Sequence, residues 1–178
     1  MLLIRFRNRR LPRKSSQRLF FLYFAFIILY CFYTPAYSSC VGLCSCSVGT
    51  STAVAFGNYD PTLAAATTAT GTVAISCFAI SGIATVSYVI SLNAGNSGSF
   101  TTRFMNLSGN HLNYNLYTTV ALTTIWGDGT GGTSTVSDSR GITVAPSTVN
   151  YTVYGQSSAM QAVPAGTYTD SITITVTW

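Results

Sequence analysis

The sequence contains very little charge, and seven of its nine cations lie in the first eighteen residues. Only 7% of the 178 residues are charged, and there is one lysine and no glutamate. With 48% hydrophobic residues, this composition excludes ordinary disorder, which requires high charge and low hydrophobicity. The formal charge of +5 belongs to the N-terminal segment, because residues 39–178 hold two arginines and four aspartates, 2 − 4 = −2. Nucleic-acid binding by this part is therefore not expected, since several cations must neutralise phosphates.

Groups suited to catalysis are also scarce. Acid–base chemistry needs two positioned titratable groups, and a Ser–His–Asp triad built on His111 would lack the G-x-S-x-G elbow. Asp60, Asp128 and Asp170 are typical of turns, in which short carboxylates accept bonds from nearby backbone amides. The glycine-rich run 127–132 lacks the lysine and the following helix of a phosphate-binding loop. We therefore expect no enzymatic activity and no cofactor.

The first 38 residues have the three parts of a secretory signal. A cationic stretch ends at Arg18, an apolar run covers residues 19–33, and Pro35 would break any helix. Ala36 and Ser38 place small residues where a signal peptidase reads, so cleavage is predicted after Ser38, leaving 178 − 38 = 140 residues. The alternative is a membrane anchor, but the run is shorter than the roughly 20 residues needed to span. Export to the periplasm, and then to the cell surface, is the expectation.

Export to an oxidising compartment would allow the cysteines to form disulfides. The chain beyond the leader has four, Cys40, Cys44, Cys46 and Cys77, which allow three connectivities that spacing alone does not settle. Zinc is the competing interpretation, but the fourth ligand would be distant and His111 is the only histidine. In an oxidising compartment disulfides are favoured, and no metal is expected. A Cys46–Cys77 bridge would contribute about 3–4 kcal/mol by closing a loop of about 30 residues; Cys40 and Cys44 form a possible second pair.

Short stretches of alternating apolar and polar residues predict strands. In the run 171–178, the apolar residues Ile172, Ile174, Val176 and Trp178 would share one face, with hydroxyl side chains on the other. Glycine-rich turns at 93–98, 127–132 and 164–166 separate such runs, a spacing typical of an antiparallel sandwich or small barrel. The further predicted strands are 71–77, 85–92, 112–117, 120–126 and 149–154.

Seven short motifs follow one another between Cys46 and Trp178. Their residues and their order along the chain resemble the spore coat protein U domain. That family includes pilin subunits of archaic chaperone–usher pili. The resemblance divides the chain into a leader (1–38), a short Cys-containing segment (39–45) and the domain itself (46–178). The motif residues are Phe56, Gly57, Tyr59, Trp126, Gly127, Asp128, Tyr154, Gly155, Gln161, Gly166, Tyr168 and Asp170.

The resemblance implies an all-β fold, an incomplete immunoglobulin-like antiparallel sandwich that lacks its final strand. A periplasmic chaperone would fill the resulting groove, and at the outer-membrane usher another pilin subunit's N-terminal strand would replace it. The apolar terminal strand, with Ile172, Ile174, Val176 and Trp178, fits the acceptor half of this scheme. Residues 39–45 are too short and Cys-rich to donate a strand of roughly ten residues. A tip or coat component that only accepts a strand is therefore expected.

Two other functions fit parts of the sequence. A secreted carbohydrate-binding or adhesin module could stack a surface glycan on Tyr114, Tyr117, Tyr151 and Tyr154, although cross-strand packing is the commoner role of such residues. An outer-membrane barrel also ends in alternation and a terminal aromatic residue. It would need at least eight strands of about ten residues, which is longer than most of the runs here.

Overall fold

The computed structural model describes Leu2–Arg9 and Ser39–Trp178, and it consists of short strands joined by turns. Within these ranges the only helical element is one 3₁₀ turn, Gly95–Ser97. In the same residues no helix has the length and apolar character to cross a membrane. The strands are β1 (Leu2–Arg9), β2 (Ser39–Val41), β3 (Cys44–Val48), β4 (Thr67–Ala79), β5 (Ile83–Leu92), β6 (Phe104–Leu107), β7 (Asn110–Tyr117), β8 (Val136–Thr143), β9 (Ser147–Ser157) and β10 (Asp170–Thr177).

The strands form two sheets. One has the order β3-β4-β9-β7-β6, and the other contains β1, β10, β5, β2 and β8. Strand β8 pairs with β5 over residues 83–90, so β10 and β2 share the opposite edge of β5, one after the other. All of these pairings are antiparallel except that of β1 with β10. The predicted all-β class, an antiparallel β-sandwich, is confirmed.

The core lies between the two sheets and is built by alternation. In β10, Ile172, Ile174 and Val176 are buried, whereas the intervening hydroxyl residues are half-buried. The largest buried side chain is Trp126, which has 0% exposure and donates its indole N–H to the Ile90 carbonyl at 3.1 Å. A buried indole usually needs such an acceptor. Trp126 therefore contributes a hydrogen bond to β5 in addition to the apolar area that it buries.

The sequence-based strand predictions include one false strand and miss the short strands β2, β3 and β6 as well as β1 and β8. Residues 120–126 do not form a strand, because Leu122 adopts a left-handed φ of 54° and donates its backbone N–H to the Thr119 carbonyl in a turn. Of these residues only Ile125 and Trp126 make β-bridges, each of them isolated. Strand β8 was not predicted, because its polar residues around Asp138 and Arg140 lie on a sheet edge and carry little alternation. The cationic start of the predicted leader contains β1, and the rest of the leader, residues 10–38, lies outside the described residues.

Candidate functional site

The candidate site is the edge of β10 that faces away from β5. The backbone of Thr173 bonds toward β5, because its N–H donates to Asn93 Oδ1 at 2.8 Å and its carbonyl accepts from the Asn93 N–H at 3.1 Å. Backbone polar groups of successive strand residues point to opposite sides. The N–H and C=O groups of Ile172, Ile174 and Val176 therefore point to the outer edge, where a further strand can bond to them.

That outer edge is paired with β1 in the described structure. Leu2–Arg9 runs parallel to β10 in eight register pairs, from Leu2 beside Asp170 to Arg9 beside Thr177. The pairing covers the whole of β10. The edge is therefore paired with a segment that lies near the start of the chain.

The start of β10 is anchored by Asp170, which is buried. Its carboxylate accepts bonds from the Asn96 N–H at 2.8 Å and from the Tyr114 hydroxyl at 2.7 Å. Gly95 makes this approach possible, because a Cβ there would overlap the carboxylate and the residue has φ +68°. Burial raises the pKa of Tyr114, so its hydroxyl stays a neutral donor. Asp170, a family-motif residue expected in a turn, thus joins β10 to β7 of the other sheet.

A buried arginine supports the neighbouring chain segments. Arg103 has 0% exposure and donates to Asn115 Oδ1 at 2.9 Å, the Asn93 carbonyl at 2.7 Å and the Trp126 carbonyl at 2.8 Å. Its Nε has no hydrogen-bond partner among the described residues. Burial lowers the pKa of Arg103, because the charged form is removed from water. Since Asn93 also bonds Thr173, the arginine holds the segment against which β10 is set.

The chain that follows the predicted cleavage site is already used inside the domain. Ser39–Val41 pairs with β5, and Cys44–Val48 pairs with β4. The structure bonds Cys40 to Cys44 and Cys46 to Cys77, so the sulfurs of all four cysteines are engaged. Residues 39–48 are therefore held to both sheets and do not extend as a separate strand.

Two family motifs form the walls of a cavity of about 610 Å³. One wall contains Phe56, Gly57 and Tyr59, and the other contains Gly166 and Tyr168. Every side chain that lines the cavity is uncharged, and most are apolar or aromatic. The space suits the apolar or aromatic part of a neutral ligand.

The first wall is fixed by contacts outside the cavity. The Tyr59 hydroxyl donates to the Ser158 carbonyl at 2.8 Å and accepts from the Gln161 N–H at 2.7 Å. The Gln161 side chain in turn bonds both the N–H and the carbonyl of Asn113. Gly155 lies beneath this wall, and a Cβ there would overlap the side chains of Val54 and Phe56. The glycine is therefore a packing requirement.

The remaining motif residues lie apart from the cavity and the β10 edge. Asp128 accepts bonds from the N–H and hydroxyl of Thr130, which lowers its pKa and closes the turn. Gly127 is buried against Thr133, where a Cβ would overlap that side chain. Tyr154 is the register partner of Tyr117 across β9 and β7. These residues shape turns and sheet surfaces.

The four tyrosines suggested for sugar stacking do not form one exposed surface. Tyr114 is buried and bonded to Asp170, whereas Tyr151 bonds Asp138 Oδ2 at 2.7 Å and the Tyr88 hydroxyl at 2.6 Å. The hypothesis of a sugar-stacking face that includes Tyr114 is wrong, because Tyr114 lies on the face of β7 that points into the core. His111, the only histidine, stacks on Phe104 at 3.7 Å between ring centroids.

Comparison with known families decides the identity. A model of the Spore Coat Protein U domain matches residues 38–175. The chain belongs to this family. Membership confirms the resemblance drawn from the seven motifs. No sequence among the curated proteins matches the chain.

Among solved structures, the spore coat U chain is similar to a chain in the CsuC–CsuE chaperone–tip adhesion subunit pre-assembly complex. That complex comes from the archaic chaperone-usher Csu pili of Acinetobacter baumannii. The two share 20% identity with a TM-score of 0.47, over 76% of this chain and 40% of the other. The chain thus spans less than half the length of that protein.

Sequence analysis did not find every residue of the site. Asn93 and Asn96, which bond β10 and its first residue, carried no signal beyond membership of a glycine-rich turn. Strand β1 was hidden by its arginines, which are typical of a leader's cationic stretch. Its alternation of Leu2, Ile4 and Phe6 is the signal that could have identified it.

Proposed function

We propose that this spore coat U protein is a surface-fibre or coat subunit that receives a strand from another protein along the outer edge of β10. The observation that carries the proposal is the pairing of this edge with Leu2–Arg9, a segment that the predicted cleavage after Ser38 would remove. An apolar strand that loses its neighbour exposes N–H and C=O groups and invites association. Strand addition satisfies those groups through the main chain, while alternate side chains provide specificity.

In this scheme the exported protein meets a periplasmic chaperone, then an outer-membrane usher and other pilin subunits. It reaches the cell surface as part of a fibre or coat. These partners are proposed because the backbone groups on the outer edge of β10 must be paired. The chaperone covers the edge in transit, and a neighbouring subunit's strand replaces the chaperone. Enzymatic activity has no part in the scheme.

We infer further that the protein accepts a strand but does not donate one. The supporting observation is that residues 39–48 pair with β5 and β4 and are bonded by two disulfides. A donor segment must be free to leave its own domain. Such a subunit can occupy only the distal end of a fibre, or a coat outside any fibre.

The acceptor role is tested with the exported protein and a synthetic peptide that copies the N-terminal extension of a second pilin. Two matched peptides carry N-methyl groups at alternate residues, one set on each edge of the peptide strand. We expect the unmodified peptide and one methylated form to bind, because only one edge of the added strand bonds to β10. Binding that is indifferent to both methylation patterns would show that main-chain pairing is not the mode of association.

A truncation provides a second test in cells. Removing residues 171–178 deletes nearly all of β10, so the groove loses a wall and soluble periplasmic protein should disappear even with a chaperone present. For the acceptor-only role, the protein is mixed with a pilin whose groove is empty. Complementation of that pilin by this protein's N-terminal residues would contradict the tip or coat assignment.

The cavity favours a second function, binding of a neutral glycan or another ligand with an apolar face. Its uncharged aromatic walls and volume of about 610 Å³ are the specific observation. Ala165 is an exposed lining residue, whereas Ala162 is exposed and outside the lining. On a glycan array, Ala165→Trp should abolish binding and Ala162→Trp should leave it unchanged. Equal binding by both variants would exclude the cavity as the site.

A further inference from the structure

We propose that the exported protein pairs with a second copy of itself through one end of the sandwich, called here the apolar pole. The pole lies where β4 ends and β5 begins, and it consists of Val41, Leu43, Phe78, Ile80, Ile83 and Val144. Such pairing would join two coat molecules, or the tips of two fibres. It uses a surface separate from the outer edge of β10 and therefore goes beyond the proposed function.

The first support is the concentration of exposed apolar side chains at this end. Nine large apolar residues are exposed in the part of the chain that the structure describes, and six of them form the apolar pole. Ile83 is 84% exposed and Val41 is 73% exposed. Single exposed apolar residues are ordinary, whereas a contiguous group of them marks an interaction surface.

The group is contiguous because the chain crosses between the two sheets twice at this end. Val41 and Leu43 are two residues apart, so their Cα atoms lie within about 7 Å. The Ile80 N–H donates to the Leu43 carbonyl at 2.8 Å, which brings the two crossings together. Ile83 follows Ile80 after three residues, within about 10 Å. These four residues therefore form one surface.

The other two residues of the pole adjoin this surface. Phe78 and Ile80 are both exposed and the residue between them is buried, so their side chains share one side of the chain. Ile83 is the register partner of Thr143, and Val144 is the next residue. The surface thus extends from the end of β4 to the end of β8.

The pole carries no charge of its own. Residues 39–48, 76–87 and 141–149 include no aspartate, glutamate, lysine, arginine or histidine. A charged partner would gain no electrostatic complementarity here. The same pole of a second copy is equally apolar and neutral, so two poles can meet without like-charge repulsion.

The exposed area is close to what a dimer requires. A standard interface buries about 800 Å² per partner, of which about 60% is apolar. At roughly 100 Å² for each whole large apolar side chain, the exposed fractions of the six residues come to about 400 Å². The pole therefore supplies most of the apolar area of such an interface. A two-fold pairing presents the same patch from both copies.

The surface is also ordered before any partner binds. The disulfide Cys40–Cys44 brackets the first crossing and joins β2 of one sheet to β3 of the other. Gly42 permits the tight crossing, because its φ is +113° and a Cβ there would lie 3.2 Å from the Cβ of Ala84. A surface that is already fixed loses little conformational entropy on association.

Pairing at the pole leaves the acceptor edge free. Strand β5 begins at the pole with Ile83, whereas β10 pairs with it only between Val89 and Leu92. Six residues of strand, about 20 Å, therefore separate the pole from the nearest paired residue of β10. A strand added to β10 and a second copy at the pole can be bound together.

Sedimentation equilibrium of the exported protein tests the pairing. We expect a dimer, and Leu43→Asp with Ile83→Asp should weaken self-association at least about tenfold, because both charges would be buried in the interface. The control is Val120→Asp with Met160→Asp, since these residues are exposed to similar extents, 75% and 65%, outside the pole. Circular dichroism shows that each variant is folded.

Three results would overturn the proposal. Standard interfaces have dissociation constants of about 1 μM or less, so a natural protein that is still monomeric at about 100 μM does not pair in this way. Equal self-association of the pole and control variants would place the contact elsewhere. Binding of a monomeric natural protein to vesicles of neutral phosphatidylcholine would assign the pole to lipid instead.

A charge exchange between two variants tests whether the two poles face each other. Leu43→Lys with Ile83→Lys should be as monomeric as the aspartate pair. A mixture of the two variants at low ionic strength should associate at least about tenfold more tightly than either alone, because opposite charges then meet. A mixture that remains monomeric would show that the poles are not partners.

The same measurements separate this inference from the acceptor role. They are repeated with a saturating amount of the second pilin's peptide, which would suppress any association through an open β10 edge and leave pairing at the pole intact. A monomeric protein that binds the peptide rejects only the pole dimer. A dimer that is sensitive to the pole variants but does not bind the peptide rejects only the acceptor edge.

Discussion

Tyr114 on β7 donates a hydrogen bond of 2.7 Å to Oδ2 of Asp170, the first residue of β10. The pair connects the two sheets at the point where β10 begins. Because both residues are buried, neither group can exchange its partner for water. The bond thereby holds the first residue of β10 against β7.

Replacing Asp170 should therefore destabilise the domain markedly. Asp170→Ala leaves the Tyr114 hydroxyl and the Asn96 N–H without an acceptor, at a cost of about 2–4 kcal/mol. Urea unfolding of the purified protein measures the loss. Asp60→Ala is the control, because that carboxylate is exposed and bonds only Thr62, so little change is expected. Equal stability of the two variants would contradict an anchoring role.

A methyl group at Gly155 should disrupt the wall of the cavity. Gly155→Ala would overlap Val54 and Phe56, and overpacking of this kind costs about 1–3 kcal/mol. Gly141→Ala on β8 meets no atom within 4 Å and should change the free energy of unfolding by less than about 0.5 kcal/mol. Thermal unfolding of both variants checks the difference. An unchanged melting temperature for Gly155→Ala would show that Val54 and Phe56 can move aside at little cost in free energy.

The two disulfides should contribute unequally. Cys46 and Cys77 are 31 residues apart, so replacing both with alanine should cost about 3–4 kcal/mol in the chain-entropy model. Cys40 and Cys44 are only 4 apart, and their replacement should cost about 2 kcal/mol. Denaturant midpoints of the two double variants give the comparison. The reverse order would mean that the small loop has a larger structural role than loop length implies.

Acid should weaken the domain partly through Asp138. The hydrogen bond from Tyr151, and then those from Ser139 and Tyr88, lower the pKa of Asp138. A carboxyl group with a lowered folded pKa adds stability above its unfolded value of about 3.9, and this is lost as the pH falls through the folded pKa. Tyr151→Phe should therefore flatten the decline of stability below about pH 4. Unfolding measured between neutral and acidic pH tests this, and an unaltered slope would assign the acid sensitivity to other groups.

Much of the fold could be predicted from local pattern. The alternation in residues 171–178, and in the segments that became β4, β5, β7 and β9, placed five strands within a few residues of their bounds. Residues 120–126 show the limit of that reasoning. Their composition suits a strand, but the left-handed Leu122 and the turn bonds around it give a different backbone.

The candidate site was predictable only in part. The inward face of β10 was visible in Ile172, Ile174 and Val176, whereas its anchors were not. Asp170 resembled an ordinary turn residue, and nothing in the sequence indicated that Tyr114 or Asn96 would reach it. Arg103 is charged, yet it is buried because three oxygen atoms from separate segments converge on its guanidinium group.

The sequence by itself determined that residues 39–178 hold little charge and that short stretches of alternating apolar and polar residues follow one another along them. These properties follow from residue type and spacing, which act locally. The tertiary structure alone decided which edges meet. Leu2 and Asp170 are partners although nearly the whole chain separates them, and Cys40–Cys44 closes a loop between strands of different sheets. Strand pairing depends on which backbone N–H and C=O groups remain unpaired after the sheets have packed. Local residue type and spacing do not predict which groups these are.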